Sequence, residues 1–234
     1  MVRVAGVDGA PGGWAVVVED SGHLSVEKVD TLSRLFDGAP AFDLVAIDIP
    51  IGLLDAFETG GRRCDREARR LLGIRGASVF PAPVRPALGA TSYADAYERS
   101  RNSASSGKAI STQTFAICGK IAEVDLLMRA RLDLRDIVRE VHPEVSFCEM
   151  TGSPMPISKR RRPGRHTRRE ALRACFQDMD ALLEQGRRLG LPEVDVLDAA
   201  VACWSARRLA DGKGRSLIEP VPPDSCGLPM TIWV

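Results

Sequence analysis

The first 51 residues constrain the fold most, because they combine three short strand-like segments with one long apolar run. Residues 2–8, 14–19 and 24–29 have strand composition, and short turns containing glycine separate them. Such short connections predict an antiparallel meander. The nearly continuous apolar run at residues 42–51 is typical of a strand buried on both faces. Because a right-handed crossover returns the chain beside its starting strand, we expect this fourth strand to lie parallel to the first.

Beyond the apolar run the pattern changes from strands to helices. Residues 54–136 have a mainly helical pattern, and a fifth strand is predicted at residues 137–141. The last clear helix covers residues 195–210 and ends before Gly212. We therefore predict one α/β domain over residues 1–234, with a mixed five-stranded sheet, flanking helices and a helical insertion at about residues 54–136.

The overall composition excludes several classes of protein. Lys and Arg total 32 against 31 Asp and Glu, a net charge of +1, so no global field attracts nucleic acid or a membrane surface. The six cysteines form no CxxC pair, which argues against a zinc site and favours reduced thiols in a cytoplasmic protein. The apolar start of the chain is too short for a signal or spanning segment, and no membrane partner is expected.

Two aspartates end the strands that are predicted to be neighbours. Asp8 ends the first strand, and Asp48 follows the apolar residues 44–47. A carboxylate in apolar surroundings costs on the order of several kcal/mol unless a cation, a helix terminus or a proton compensates it. A divalent cation would do so directly. The alternatives are a turn role for Asp8 and a capping role for Asp48 toward residues 50–52.

Further acids lie at the start of the last predicted helix and after the fifth strand. Asp195 and Asp198 open that helix, whose apolar side is expected to pack on the sheet and leave Asp198 at its edge. A helix cap is the alternative role for this pair. Glu144 follows the dipeptide His142-Pro143 as a fourth candidate acid. His142 itself is either a hydrogen-bonded core histidine or a proton shuttle.

The order of these acids along the chain carries more weight than any single one. Acids on the first strand, at the end of the fourth strand and at the start of the last helix are what a two-metal phosphodiester site requires. Ligation by oxygen alone favours Mg²⁺ or Mn²⁺. We predict that Asp8 bridges two ions, that Asp48 and Asp198 hold one each, and that Glu144 or Asp195 orients the attacking water.

Seven segments of the chain together resemble a known family. They read GVDGAPGGW at 6–14, AIDIPIG at 46–52, RCDREAR at 63–69, ASVFPAP at 77–83, STQTFAI with KIAEVD at 111–125, EVHPEVSF at 140–147 and DVLDAA at 195–200. This pattern resembles domain-of-unknown-function family 429, whose members are regarded as predicted nucleases of the RNase H-like superfamily. The resemblance covers most of the chain and implies an RNase H-like fold.

The resemblance also implies which acids hold metal. In the superfamily's arrangement Asp8, Asp48 and the pair Asp195 and Asp198 correspond to metal-ligand positions, and Glu144 is a further member. Because a fold alone does not fix a function, the resemblance supports phosphoryl chemistry more directly than any named substrate.

Three basic residues of the predicted insertion are candidate phosphate ligands. Arg63 and Arg75 could contact phosphate oxygens in bidentate fashion, and Lys120 could supply a point charge. The alternatives are a surface ion pair between Arg63 and Glu67 on one helix and a solvated amphipathic helix around Lys120.

The clearest charge cluster of the chain lies at residues 159–169. We interpret it as a loop, because Pro163 and Gly164 interrupt it. Between the fifth strand and the last helix, such a loop would overhang a site at the end of the sheet, where Lys159 and Arg161 would contact phosphate. A solvated loop without a binding role is the alternative, since the segment lacks aromatic residues that would stack on bases.

These observations predict a divalent-metal-dependent phosphodiester hydrolase that acts on nucleic acid or another phosphate-containing substrate. One alternative is a small-molecule phosphotransferase or hydrolase on the same fold, which binding of ATP would indicate. The other is a non-catalytic module that binds polyanions without metal. The sequence does not specify the natural substrate or the oligomeric state.

Overall fold

In the computed structural model, which describes residues 2–38, 41–103 and 109–234, the chain divides into two units. The first comprises Met1–Asp48, Asp136–Arg215 and Trp233–Val234, and the second comprises Ile49–Arg135 and Ser216–Ile232. The second unit contains nearly all of the predicted insertion together with most of the proline-containing tail. The assignment of residues 1–234 to one domain stays a prediction.

A mixed five-stranded sheet forms the centre of the first unit. Its strands are β1 (Arg3–Ala10), β2 (Gly13–Asp20), β3 (His23–Val29), β4 (Leu44–Ile47) and β5 (Val138–Glu140). Their order is β3-β2-β1-β4-β5. The first three strands pair antiparallel, whereas β4 lies parallel to β1 and β5 parallel to β4. The predicted meander and the predicted parallel fourth strand are both confirmed.

Two strands, β1 and β4, differ from the sequence prediction by two residues or more. β1 continues beyond Asp8 to Ala10, because Ala10 pairs directly with Gly13 and only two residues form the turn. β4 is shorter than the apolar run at residues 42–51 and ends at Ile47. Pro50 has no N–H to donate to a sheet ladder, so the run cannot continue as a paired strand through that residue.

Four α-helices belong to the described part of the first unit. They are α5 (Pro143–Thr151), α6 (Arg162–Arg173), α7 (Met179–Arg188) and α8 (Glu193–Ala210). α8 packs against β1, β2 and β4 with a face of small, fully buried residues. It approaches β1 so closely that a Cβ atom on Gly6 would overlap the backbone of Ala199 and Cys203. Glycine at this position therefore sets the distance between the last helix and the sheet.

Replacing Gly6 by alanine should destabilise the protein by about 1–3 kcal/mol, because the new methyl group must push α8 away from the sheet. Gly38 is a matched control, since a Cβ there meets no described atom within 4 Å. Urea unfolding of Gly6→Ala and Gly38→Ala measures the difference. Equal free energies of unfolding for the two variants would contradict the close packing of α8 on β1.

The prediction of a loop at residues 159–169 is wrong over most of its length, because α6 begins at Arg162. Pro163 lies at the start of this helix, where its missing N–H costs nothing. A Cβ on Gly164 would overlap the carbonyl group of Ser158, so this glycine permits close packing rather than breaking the helix. The amphipathic sequence at residues 172–189 forms two helices, the end of α6 and the whole of α7.

The second unit is mainly helical. Its α-helices are α1 (Arg63–Leu72), α2 (Tyr93–Asn102), α3 (Thr112–Ala116) and α4 (Cys118–Ala130). A buried ion-pair network joins Arg85 to Asp125 on α4 and to Asp224 in the tail. Asp224 also accepts hydrogen bonds from the backbone N–H groups of Leu53 and Leu228. This network attaches the tail to the rest of its unit.

Candidate metal centre

Three aspartates from different parts of the chain meet in the first unit. Asp8, Asp48 and Asp198 each offer a carboxylate oxygen, and these oxygens all lie within 4.8 Å of one another. Asp8 and Asp48 follow Val7 and Ile47, which are register partners in the parallel pair of β1 and β4. The backbone N–H of Asp48 donates to the carbonyl of Val7 at 2.9 Å. The strand pairing itself therefore brings these two acids side by side.

Asp198 reaches the cluster from α8. The close packing of α8 on β1 buries this residue to 1% exposure, and one of its carboxylate oxygens lies within 4.8 Å of oxygens of Asp8 and Asp48. α8 begins at Glu193, two residues earlier than predicted, and Pro192 occupies its N-cap position. Neither Asp195 nor Asp198 is thus the cap of this helix. Asp195 is half-buried in its first turn.

Burial opposes the charged form of all three carboxyl groups. Desolvation raises the pKa of Asp8 well above its usual range, and repulsion from Asp48 and Asp198 raises it further. Desolvation also raises the pKa of Asp48 to about 7 and raises the pKa of Asp198, although in all three residues the charge of Lys159 acts in the opposite direction. Three carboxylates in one buried position require a cation or a proton for compensation.

Lys159 supplies part of that compensation. Its Nζ atom forms an ion pair with Oδ2 of Asp198, and the lysine side chain is 33% exposed. Burial alone would lower the pKa of Lys159, but Asp198, Asp48 and Asp8 outweigh burial and raise the pKa above its usual value. Oδ1 of Asp198 is buried and has no hydrogen-bond partner among the described residues. An unsatisfied carboxylate oxygen inside an acidic cluster is the kind of atom that a metal ion would bind.

The raised pKa of Asp48 predicts how stability depends on pH when metal is removed. Between about pH 4 and pH 7 the folded protein holds a proton on Asp48 that the unfolded chain has lost, since the pKa moves from 3.8 to about 7. The free energy of unfolding in a chelator should therefore fall as the pH rises through this window. Urea unfolding at several pH values measures the slope, and Asp48→Asn should make it shallower. A variant with the same slope as the wild type would contradict this origin.

Glu144 lies beside the cluster and is held by a buried ion pair. It occupies the first turn of α5 and is 3% exposed, and its Oε1 atom accepts a hydrogen bond from Nη2 of Arg168 at 2.6 Å. Its charge acts on Asp48 and Asp198 and raises the pKa of both. Glu144 is therefore close to the three aspartates but does not belong to the group whose oxygens meet within 4.8 Å.

Arg168 is the principal site residue whose role the sequence reading missed. It was counted in the charged loop, yet it is fully buried on α6. The helical spacing of Gly164, Arg168 and Leu172, all buried, would have placed it on the inner face once α6 was recognised. Pro163 and Gly164 usually interrupt a helix, so the sequence predicted a loop here and the helical spacing was not recognised.

The other predicted phosphate ligands lie elsewhere in the chain. Arg161 is exposed and precedes α6 as its N-cap residue. Arg63, Arg75 and Lys120 belong to the second unit, on α1, in the 3₁₀ helix Gly73–Ser78 and on α4. A role of these four residues in binding substrate stays a prediction.

A surface ion pair between Arg63 and Glu67 was the alternative to phosphate binding, but Glu67 has a different partner. Glu67 pairs with Arg70 instead, and Nη2 of Arg63 donates to the carbonyl of Glu219 at 3.2 Å. The neighbouring buried pair of Arg62 and Asp65 is structural, since Arg62 also donates to the carbonyl groups of Ile51 and Gly52. Asp65 of this segment of the family-like pattern therefore contributes to local folding.

The mixed α/β fold brings together three aspartates, Asp8 within β1, Asp48 just after β4 and Asp198 on α8, and this defines an α/β protein with a candidate metal centre. The chain belongs to the family described as "Protein of unknown function (DUF429)", whose family model matches residues 6–223. Comparisons with curated proteins and with solved structures gave no significant match. Among the described residues, no helix is both long and apolar enough to cross a membrane.

Proposed function

We propose that the protein is a divalent-metal-dependent phosphodiester hydrolase of the RNase H-like superfamily. The observation that carries the proposal is the meeting of Asp8, Asp48 and Asp198 within 4.8 Å, with a buried oxygen of Asp198 left without a hydrogen-bond partner among the described residues. The superfamily assignment rests on the family resemblance, and the mixed sheet, an antiparallel meander continued by parallel strands, supports it.

The donor set is suited to Mg²⁺ or Mn²⁺. Asp8, Asp48 and Asp198 would hold the metal through oxygen atoms alone, which these hard cations prefer. A bound divalent ion would stabilise the negative charge that develops on the phosphate oxygens and would make water a better nucleophile. The reaction adds water across one P–O bond and yields a phosphate monoester and an alcohol.

The surrounding residues orient the carboxylates and the water. Arg168 fixes the carboxylate of Glu144 in one position beside the cluster, which suits a group that orients the attacking water. Asp195, in the first turn of α8, is the other candidate for this role, because its charge acts on Asp8. Nucleic acid or another phosphate-containing molecule would be the substrate.

A cleavage assay with a broad set of phosphodiesters tests the proposal. The purified protein is incubated with single-stranded and structured DNA and RNA, and with bis(4-nitrophenyl) phosphate, in Mg²⁺, in Mn²⁺ and in EDTA. We expect cleavage of at least one substrate with metal and none in EDTA. The absence of cleavage from the whole set with either metal would contradict a phosphodiesterase.

The same preparation distinguishes the two alternative functions. Thermal stabilisation by ATP, without phosphodiester cleavage, would point to a small-molecule phosphotransferase. Salt-sensitive binding of a polyanion that persists in EDTA and in Asp8→Asn would point to a non-catalytic binding module.

A further inference from the structure

We infer that Lys159 is a second cation of the candidate metal centre, so that the three aspartates bind one divalent ion per chain rather than two. The inference deepens the proposed function and rests on it, because it concerns how the same site is charged. It also replaces the two ions that the sequence pattern predicts with one ion and one ammonium group.

The contact with Asp198 is the first reason. Nζ of Lys159 pairs with Oδ2 of Asp198, while Oδ1 of the same carboxylate is buried and has no hydrogen-bond partner in the described chain. The ammonium group also interacts electrostatically with Asp8 and Asp48, so it acts on the whole cluster. One oxygen of Asp198 is thus already neutralised, and the other remains for a metal ion.

The charge balance is the second reason. Three ionised aspartates and one ammonium group leave two negative charges, which one divalent ion cancels. Two divalent ions together with Lys159 would leave an excess of positive charge in a buried position, even if Asp195 joined the ligands. Uncompensated buried charge is strongly unfavourable. Glu144 does not alter the balance, because Arg168 pairs with it.

The anchoring of the backbone around Lys159 is the third reason. Nη1 of the buried Arg168 donates to the carbonyl of Ile157 at 2.9 Å and to that of Gly164 at 2.8 Å. The backbone N–H of Arg161 donates to the carbonyl of Ser158 at 3.0 Å. These bonds hold the backbone on both sides of Lys159 in place, and from there the side chain reaches Asp198 in the cluster.

A fixed ammonium group can also serve the substrate. It carries three N–H donors, and the pair with Asp198 uses one of them. The others can donate to a phosphate oxygen, and the fixed backbone lowers the entropic cost of doing so. The substrate class that fits this pair of cations is a phosphodiester whose phosphate contacts the metal ion and Lys159 together.

Counting bound Mn²⁺ tests the inference without any measurement of activity. Isothermal titration of metal-free protein gives the number of ions per chain for the wild type and for three variants. Lys159→Met removes the ammonium group with little change in length, Lys159→Arg keeps the charge, and Arg160→Met removes the same charge from the exposed neighbouring residue. We expect one ion in the wild type, in Lys159→Arg and in Arg160→Met, and two ions in Lys159→Met.

The outcomes separate this inference from the proposed function. Two ions in the wild type, or a single ion in Lys159→Met, would overturn the inference and leave a metal-dependent site in place. No Mn²⁺ bound by the wild type would overturn the proposed metal centre itself, and the inference with it. Should Lys159→Met fail to fold, the ion counts of the wild type and of Lys159→Arg decide the question. Electron paramagnetic resonance of bound Mn²⁺ checks each count, because two adjacent ions couple magnetically.

Discussion

Replacing Asp8 by asparagine is expected to lower metal-dependent phosphodiester cleavage by on the order of 10³-fold or more, to the background of the assay. Asp8 contributes one of the three oxygens that meet within 4.8 Å, and a neutral amide is a much weaker ligand for Mg²⁺ or Mn²⁺ than a carboxylate. The variant should also lose the thermal stabilisation that Mn²⁺ gives to the wild type. Initial rates and melting temperatures, measured with Mn²⁺ and with EDTA, check both effects.

The stability of the same variant in EDTA separates a functional effect from a folding defect. Asparagine has nearly the same shape as aspartate. The substitution also removes a carboxyl group whose negative charge is disfavoured by burial and by two neighbouring acids. Metal-free Asp8→Asn should therefore melt no lower than the metal-free wild type. Asp30→Asn is the matched control, because Asp30 is exposed and forms a surface ion pair with Arg34. Cleavage by Asp8→Asn at the wild-type rate would contradict the assignment of Asp8 as a metal ligand.

Replacing Arg168 by methionine is expected to lower the free energy of unfolding by about 3–5 kcal/mol, because Glu144 is then left as an uncompensated buried charge. The substitution also removes the hydrogen bonds to the carbonyl groups of Ile157 and Gly164. Guanidinium unfolding measures the loss. The double variant Glu144→Gln with Arg168→Met should recover part of it, since neither position of the pair then carries a charge.

The matched control for this variant lies on the same helix. Arg165 pairs with Glu193 at 3.0 Å, and both side chains are partly exposed. Arg165→Met should therefore cost less than about 1 kcal/mol. If Arg168→Met cost no more than Arg165→Met, the buried pair would not be a main support of this side of the site.

The sheet could be predicted because its determinants are local. Alternating and continuous apolar runs, with short glycine-containing turns between them, specify the meander, and the right-handed crossover places β4 beside β1. The strand ends could not be predicted to the residue. The length of the β1–β2 turn depends on the pairing of Ala10 with Gly13, which the sequence pattern does not show.

The basic segment shows where local signals mislead. Pro163 and Gly164 usually interrupt regular structure, but proline is favourable in the first turn of a helix, and this glycine is required by the close approach of Ser158. The close approach of Ser158 to Gly164 depends on how the chain packs, and a rule about sequence composition cannot predict it. For the same reason the burial of Arg168 and its pairing with Glu144 could not be predicted from the sequence.

The three aspartates of the site were predicted, whereas their cationic partner was given another role. Strand ends and a helix start identified Asp8, Asp48 and Asp198 as acids that could meet. Lys159 was expected to contact phosphate from a loop, and its pairing with Asp198 joins residues 39 positions apart in the sequence. Order along the chain predicts which acids converge, but it does not predict which charge neutralises them.

The most direct test of the metal centre is the anomalous difference map of a crystal grown with Mn²⁺. The account predicts a peak within about 2.5 Å of carboxylate oxygens from Asp8, Asp48 and Asp198. A well-ordered site without such a peak at saturating Mn²⁺, or a peak bound by other residues while these three carboxylates point apart, would contradict it.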